Sequence, residues 1–144
     1  MKKRLNYFLM VFGLVSFIMT QSKAQSNSDS SIATINIIRQ TGYSGSAAGL
    51  KVFIDSTLHC KLNTGKYLEV KLPAGQHTLS GQFYGDEPSK VGIPLTFVAE
   101  AGKTYYFMFT QSVHFASTEV FCNELSSDIG KAKVAEKLLD ISCQ

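Results

Sequence analysis

Lys66-Tyr67-Leu68-Glu69-Val70-Lys71-Leu72-Pro73-Ala74-Gly75-Gln76-His77-Thr78-Leu79-Ser80-Gly81-Gln82-Phe83 is the stretch on which the fold turns. Leu68, Val70 and Leu72 alternate with Tyr67, Glu69 and Lys71, the period of a strand with one face buried and the other in water. Pro73 fixes φ and Gly75 admits a positive φ, so the chain turns there. Leu79 and Phe83 then alternate with Thr78, Ser80 and Gln82. The pattern predicts two strands joined as a β-hairpin.

Working towards the N-terminus, residues 58–62 read as a strand ended by the Asn63-Thr64-Gly65 turn, and residues 50–54 as another, closed by Asp55-Ser56-Thr57. Residues 42–49 form a loop of small residues. Before it, residues 32–39 are rich in β-branched side chains, with Ile35 and Ile37 on one face and Ile38 on the other. Towards the C-terminus, residues 90–99 place Ile93, Leu95 and Phe97 on one face, and Pro94, which has no N–H to donate, predicts that this strand lies at a sheet edge or carries a bulge. In residues 104–110, Tyr105, Phe107 and Phe109 alternate with Tyr106 and Met108, so both faces are apolar and the strand belongs in the middle of the structure.

Ser126-Ser127-Asp128 suits a helix N-terminus. Val134, Leu138 and Ile141 follow at i, i+4, i+7, which predicts a C-terminal helix covering a sheet, with Gly130 unfavourable in its first turns by about 1 kcal/mol. The expected fold is mainly β: an antiparallel β-sandwich of about seven strands with one C-terminal α-helix.

The 144 residues carry a formal charge of +3 and are 44% hydrophobic. That length suits one domain. The charge is unevenly placed: Lys2, Lys3, Arg4 and Lys23 precede residue 25 with no acidic residue among them, and the rest of the chain has ten basic residues against eleven acidic ones. Residues 1–24 follow the layout of a secretory signal peptide, with a basic start, an apolar run over residues 5–19 and small residues at Ser22 and Ala24, which predicts cleavage between Ala24 and Gln25. The apolar run is interrupted by Asn6 and Ser16 and is shorter than the roughly 20 residues of a spanning helix, so no membrane span is expected after cleavage. The first cysteine is Cys60, so a lipid-bearing cysteine at the start of the mature chain is not expected. Residues 25–31 read as a polar, Ser-rich leader and residues 32–144 as the single domain. With no Lys/Arg run beyond the signal, the electrostatic footprint of a nucleic-acid binder is missing.

The ordered series Ile35 to Arg39, Val52-Phe53-Ile54-Asp55, Asn63-Thr64-Gly65-Lys66-Tyr67, Leu72-Pro73-Ala74-Gly75-Gln76-His77-Thr78-Leu79 and Glu100-Ala101-Gly102-Lys103-Thr104-Tyr105-Tyr106 resembles domain of unknown function 2846, a bacterial family. The Pro-x-Gly-x-His-Thr-Leu segment is similar to that of PEGA domains and prealbumin-like sandwiches. The resemblance implies an exported β-sandwich, often attached to the envelope as a lipoprotein, and it supplies no catalytic residues. This chain departs from it in lacking the lipid-accepting cysteine and in placing Ser56, where Gly is usual, after Asp55.

Signatures of chemistry are weak throughout. Gly42-Tyr43-Ser44-Gly45-Ser46 lacks the last glycine and the strand-to-helix context of a nucleophile elbow, and Gly45 to Lys51 lacks the spacing of a phosphate loop. His59, Cys60, His77 and His114 have no metal-ligand spacing, and neighbours His59 and Cys60 point to opposite faces of a strand. Asp86 and Glu87 are adjacent in a turn, where solvation is their ordinary fate. No catalytic residue, cofactor or metal is assigned. In an oxidising compartment three cysteines allow three possible pairs and leave one free; the favoured candidate is Cys122 with Cys143, which would staple the helix to the preceding strand and close a loop of about 20 residues for about 3 kcal/mol. The alternative is three reduced, buried thiols. The functional expectation is a non-catalytic module that binds or supports an envelope or extracellular protein or glycan, through the loop 41–49 and the turn 83–88. Two alternatives are a hydrolase or metal-dependent enzyme assembled only in three dimensions, and a carrier of a small apolar ligand between sheet and helix.

Overall fold

The computed structural model describes residues 31–42, 47–88, 93–115 and 117–143. The expected signal segment, its expected cleavage point between Ala24 and Gln25, most of the expected leader, and Ser44 lie outside the described residues.

Nine strands, β1 (Ile32–Arg39), β2 (Leu50–Ile54), β3 (Thr57–Leu62), β4 (Lys66–Pro73), β5 (Gly75–Gln82), β6 (Leu95–Ala99), β7 (Thr104–Val113), β8 (Thr118–Leu125) and β9 (Leu138–Leu139), are joined by one helix, α1 (Ser127–Ala135), and a 3-10 turn, Ile141–Cys143, among the described residues. They form two layers, in the orders β8-β7-β1-β4-β9 and β3-β2-β5-β6. Most pairings are antiparallel; β1 with β7 and β4 with β9 are parallel. The fold is a β-sandwich with a helix near its C-terminal end.

The periodicities place the core correctly. Ala33, Ile35 and Ile37 of β1, Leu68 and Val70 of β4, and Phe107 and Phe109 of β7 meet Leu50, Val52, Leu79 and Phe97 of the second sheet in one apolar cluster. β7 lies inside its sheet between β8 and β1, as its two apolar faces require. Its outer face carries buried Tyr106, against which α1 lies: a Cβ built on Gly130 would stand 2.1 Å from Tyr106 Cγ. Gly130, the buried residue of α1, is therefore the point of closest approach between helix and sheet. β6 is a sheet edge and begins just after Pro94.

Two expectations are corrected. β4 and β5 are not a hairpin: β4 pairs with β1 and β9, whereas β5 pairs with β2 and β6. Pro73-Ala74-Gly75 carries the chain from one sheet to the other, with Gly75 at φ 148°, and Ala74 N–H is held by the Ser31 carbonyl of the leader instead of by a partner strand. Alternation fixes which side of a strand is buried, and both arrangements bury the same side. The helix is also shorter than its apolar stripe implied. It ends at Ala135, Ser126 makes no side-chain cap bond, and the Lys137 N–H turns back to the Val134 carbonyl. Leu138 and Ile141 lie beyond it and are exposed.

Candidate functional site

β1 ends in Arg39, whose residue is only 1% exposed. Its Nε donates to Thr41 Oγ1 at 2.8 Å, and Nη1 donates to the carbonyls of Ala48 and Leu62, each at 2.8 Å. The guanidinium lies 5.3 Å from the Phe83 ring centroid. Burial lowers the Arg39 pKa from its ordinary value, and carbonyl acceptors together with the aromatic face replace the water that the charge has lost. One side chain thus fastens both ends of the β1–β2 loop, the end of β3 and the start of the β5–β6 connection.

The turn at residues 83–88 is held separately. Lys51 Nζ donates to the Gly85 carbonyl at 2.6 Å and to Asp86 Oδ1 at 2.5 Å, and Gln82 Nε2 donates to the carbonyls of Gly85 at 3.2 Å and Glu87 at 2.6 Å. The hydrogen bond from Lys51 and its charge hold the Asp86 carboxyl below its usual range. Tyr84 projects from this turn, 83% exposed. Of the two segments chosen from sequence, the described ends of the loop 41–49, at Thr41 and Ala48, therefore meet the turn 83–88 at one end of the sandwich. Asp86 is committed to Lys51, which gives it a positioning role there.

On the flank of the same end an open cavity of about 480 Å³ is lined by His59, Cys60, Lys61, Asn63, Ser142 and Cys143. The disulfide lies in its wall, and it is not the one expected: Cys143 is bonded to Cys60, with 5.1 Å between Cα atoms, and Cys122 is free. A helix running to Ile141 would have kept Cys143 near β8. Instead the chain leaves α1, pairs beside β4 and crosses to β3. Cys60 shares the inward period of Leu62, a signal in the sequence that favours it as a partner for a buried cysteine. Burial pushes the Cys122 thiol up to about 12, so it stays protonated.

His77 lies at the opposite end. Its Nδ1 is 2.7 Å from Asp55 Oδ2 and its Nε2 is 2.9 Å from the Pro73 carbonyl. Both partners only accept, so the geometry suits an imidazolium that donates from both nitrogens. Burial alone would lower the His77 pKa, but the bonds to Asp55 and Pro73 and the Asp55 charge outweigh it and raise the value. Asp55 also accepts the Thr78 N–H at 2.9 Å. Partial burial pushes its carboxyl up, and the bonds from His77 and Thr78 outweigh that and leave it below its ordinary value. A general base must have a ring nitrogen free for the substrate proton, and here both nitrogens are engaged. His59 lines the cavity, while His114 lies 3.3 Å from Ser112 Oγ; the histidines are not brought together. Among the described residues no three His, Cys, Asp or Glu side chains converge as a metal site, and no helix is long and apolar enough to cross a membrane.

No protein-family model matches the chain, and no curated protein matches it. Sequence reasoning missed Arg39 and Asp140 altogether. Asp140 is fully buried, accepting from Asn63 N–H at 2.8 Å, Ser142 Oγ at 2.7 Å and Lys66 Nζ at 3.2 Å. A single charged residue leaves no periodic trace, and each is placed by groups distant in sequence.

Proposed function

We propose that the chain is an exported β-sandwich module that binds an envelope or extracellular protein or glycan through its Arg39 end, without catalysing a reaction, and that its likeness to domain of unknown function 2846 reflects kinship. The observation that carries this reading is the buried Arg39, which draws the β1–β2 loop, the end of β3 and Phe83 into one surface. Holding loops in a fixed arrangement on a rigid sheet lowers the entropy lost on binding. Tyr84, exposed beside Phe83, is an aromatic anchor of the kind enriched at the centres of interfaces. Export is supported by the basic-then-apolar order of residues 1–24 and by a disulfide, a bond that persists in oxidising compartments. The carrier alternative is weakened by the direct seating of α1 on Tyr106.

The test is retention of components from an envelope extract and on a glycan array by the folded domain, in parallel with Tyr84→Ala. The expected result is a retained component that the variant loses while its unfolding midpoint stays the same. Equal retention by both proteins, or none by the folded wild type, would refute the reading.

A further inference from the structure

After α1 the chain runs across the side of the sandwich where β4 and β3 lie. Leu138–Leu139 adds to β4 in parallel through Lys66 and Tyr67, and Ile141–Cys143 packs against β3, an edge of the second sheet. Residues 138–143 therefore form a strap over the margins of both sheets. Its attachment is unusual in kind. Leu138 and Ile141 are 74% and 75% exposed, whereas the residues taken inside are Asp140 at 0% and Cys143 at 4%. Burial of apolar side chains, the ordinary source of cohesion, contributes little here. The strap is held by the Asp140 hydrogen bonds, the Asp140 N–H to the Tyr67 carbonyl at 2.8 Å, two residues of pairing, and one covalent bond.

That covalent bond borders a cavity open to solvent. Both of its residues line the open cavity, together with His59, Lys61, Asn63 and Ser142. Cys60 is partly exposed and Cys143 nearly buried. We propose that the Cys60–Cys143 disulfide is a thiol-exchange site that latches the C-terminal strap, and that a dithiol reductant entering the cavity opens it. The reductant's thiolate attacks Sγ of Cys60, the less buried of the two residues. The Cys60–Cys143 bond breaks, and Cys143 leaves as a thiolate that takes a proton from water. The reductant's second thiol gives its proton to solvent and attacks the mixed disulfide. Cys60 is released as a thiolate and the reductant departs as its own disulfide, so that two electrons pass from reductant to protein. Lys61 in the cavity wall favours the approach of the anion. Cys122, protonated and partly buried, takes no part. With the bond open the strap is left with its polar contacts and the modest burial of Leu139 and Cys143, and it detaches from β4 and β3 while the rest of the apolar core stays closed. The inference is independent of what the Arg39 end binds.

The experiment uses the folded, oxidised chain and dithiothreitol without denaturant. Alkylation followed by mass spectrometry is expected to label Cys60 and Cys143 together and to leave Cys122 unlabelled. Amide exchange in residues 138–143 and at Lys66 and Tyr67 is expected to rise about tenfold or more, with β1 and β7 still protected. A limiting amount of a monothiol is expected to be trapped on Cys60 in preference to Cys143. The proposal is overturned if the bond resists dithiothreitol until Cys122 labels at the same rate, which is reduction through global unfolding. It is equally overturned if the bond opens and strap exchange is unchanged.

Discussion

Gly130→Ala separates helix propensity from packing, because the two predict opposite signs. In an exposed helix interior the substitution stabilises by about 1 kcal/mol. In this fold the new Cβ would stand 2.1 Å from Tyr106 Cγ and 2.3 Å from Tyr106 Cβ, where ordinary contact begins at 3.4 Å. Those atoms are the root of the side chain, so rotation about χ2 cannot withdraw them, and α1 has to lift by more than 1 Å or β7 has to give way. Overpacking of this kind costs about 1–3 kcal/mol, and a clash with fixed atoms belongs at the upper end. Set against the propensity gain, the net expected loss is about 2 kcal/mol, a fall in Tm of about 8 °C for a domain of this size. Urea unfolding gives the free energy and its m-value shows whether the folded state has loosened. In a Tyr106→Ala background the ring is gone but the residue-106 Cβ, 2.3 Å from the new methyl, is retained, so the loss is expected to shrink without changing sign. A Gly130→Ala chain as stable as wild type, or more so, would refute the placement of α1 on Tyr106.

Asp55 and Ser56 form the two-residue β2–β3 turn with φ of 50° and 66°, so Ser56→Gly is expected to stabilise by about 0.5–1 kcal/mol after the entropy of the unfolded glycine is subtracted; Asp55→Gly, which also loses the bonds to Thr78 and His77, is expected to destabilise, and thermal melts of the two variants compare them directly. Because the folded pKa of His77 is raised, its contribution is fully present below about pH 6.5 and is lost as pH rises through the folded value; Tm measured across that window should decline in wild type and stay flat in His77→Gln, and parallel curves would exclude the pairing with Asp55 and Pro73. Arg39→Met keeps the length of the side chain and removes three hydrogen bonds, with an expected loss of about 2–4 kcal/mol and faster amide exchange at residues 48–50; unchanged exchange there would show that Arg39 does not fasten the loop.

The sequence made the strands and their buried faces legible because period-two alternation is a local signal. Leu68, Val70, Phe107 and Phe109 are inside as that signal requires. It carried no information about partners: Pro73-Ala74-Gly75 can reverse a chain within a sheet or pass it to the opposite one, and the choice depends on β1 and β2 competing for β4 and β5. The helix was misjudged for a related reason. Val134, Leu138 and Ile141 match a helical stripe only if the helix continues, and the backbone ends it at Ala135, where β4 offers an open edge to Leu138–Leu139. Gly130, unfavourable by propensity, is the residue that the packing selects. The mistaken pairing of Cys122 with Cys143 followed from the overlong helix. The two segments 41–49 and 83–88 were singled out from sequence, but not the cause that brings the ends of the first to the second, since Arg39 is one charged residue at the end of a β-branched run.

The apolar cluster holds the two sheets together, but their margins are fixed by charge, and this makes the strap sensitive to more than its disulfide. Burial pushes the Asp140 carboxyl up, yet the bonds from Ser142, the Asn63 N–H and Lys66 outweigh it and bring the value to about 2. An unfolded aspartate titrates near 4, so the ionised form contributes about 2 kcal/mol. That contribution is present above about pH 4 and is lost as pH falls towards about 2. Asp140→Asn removes it at every pH, but the state of the disulfide decides where the loss is felt. In the oxidised chain Cys143 ties the strap to β3, so strap and sandwich unfold together and the variant should lose about 2 kcal/mol in global stability. In the reduced chain the strap can leave by itself; the variant should then raise amide exchange in residues 138–143 while the unfolding midpoint of the remaining sandwich moves much less. Urea unfolding and amide exchange on both chains in both redox states measure this coupling. Equal global losses in the oxidised and reduced proteins would show that the strap never separates from the sandwich, and that the Cys60–Cys143 bond is a staple and not a latch.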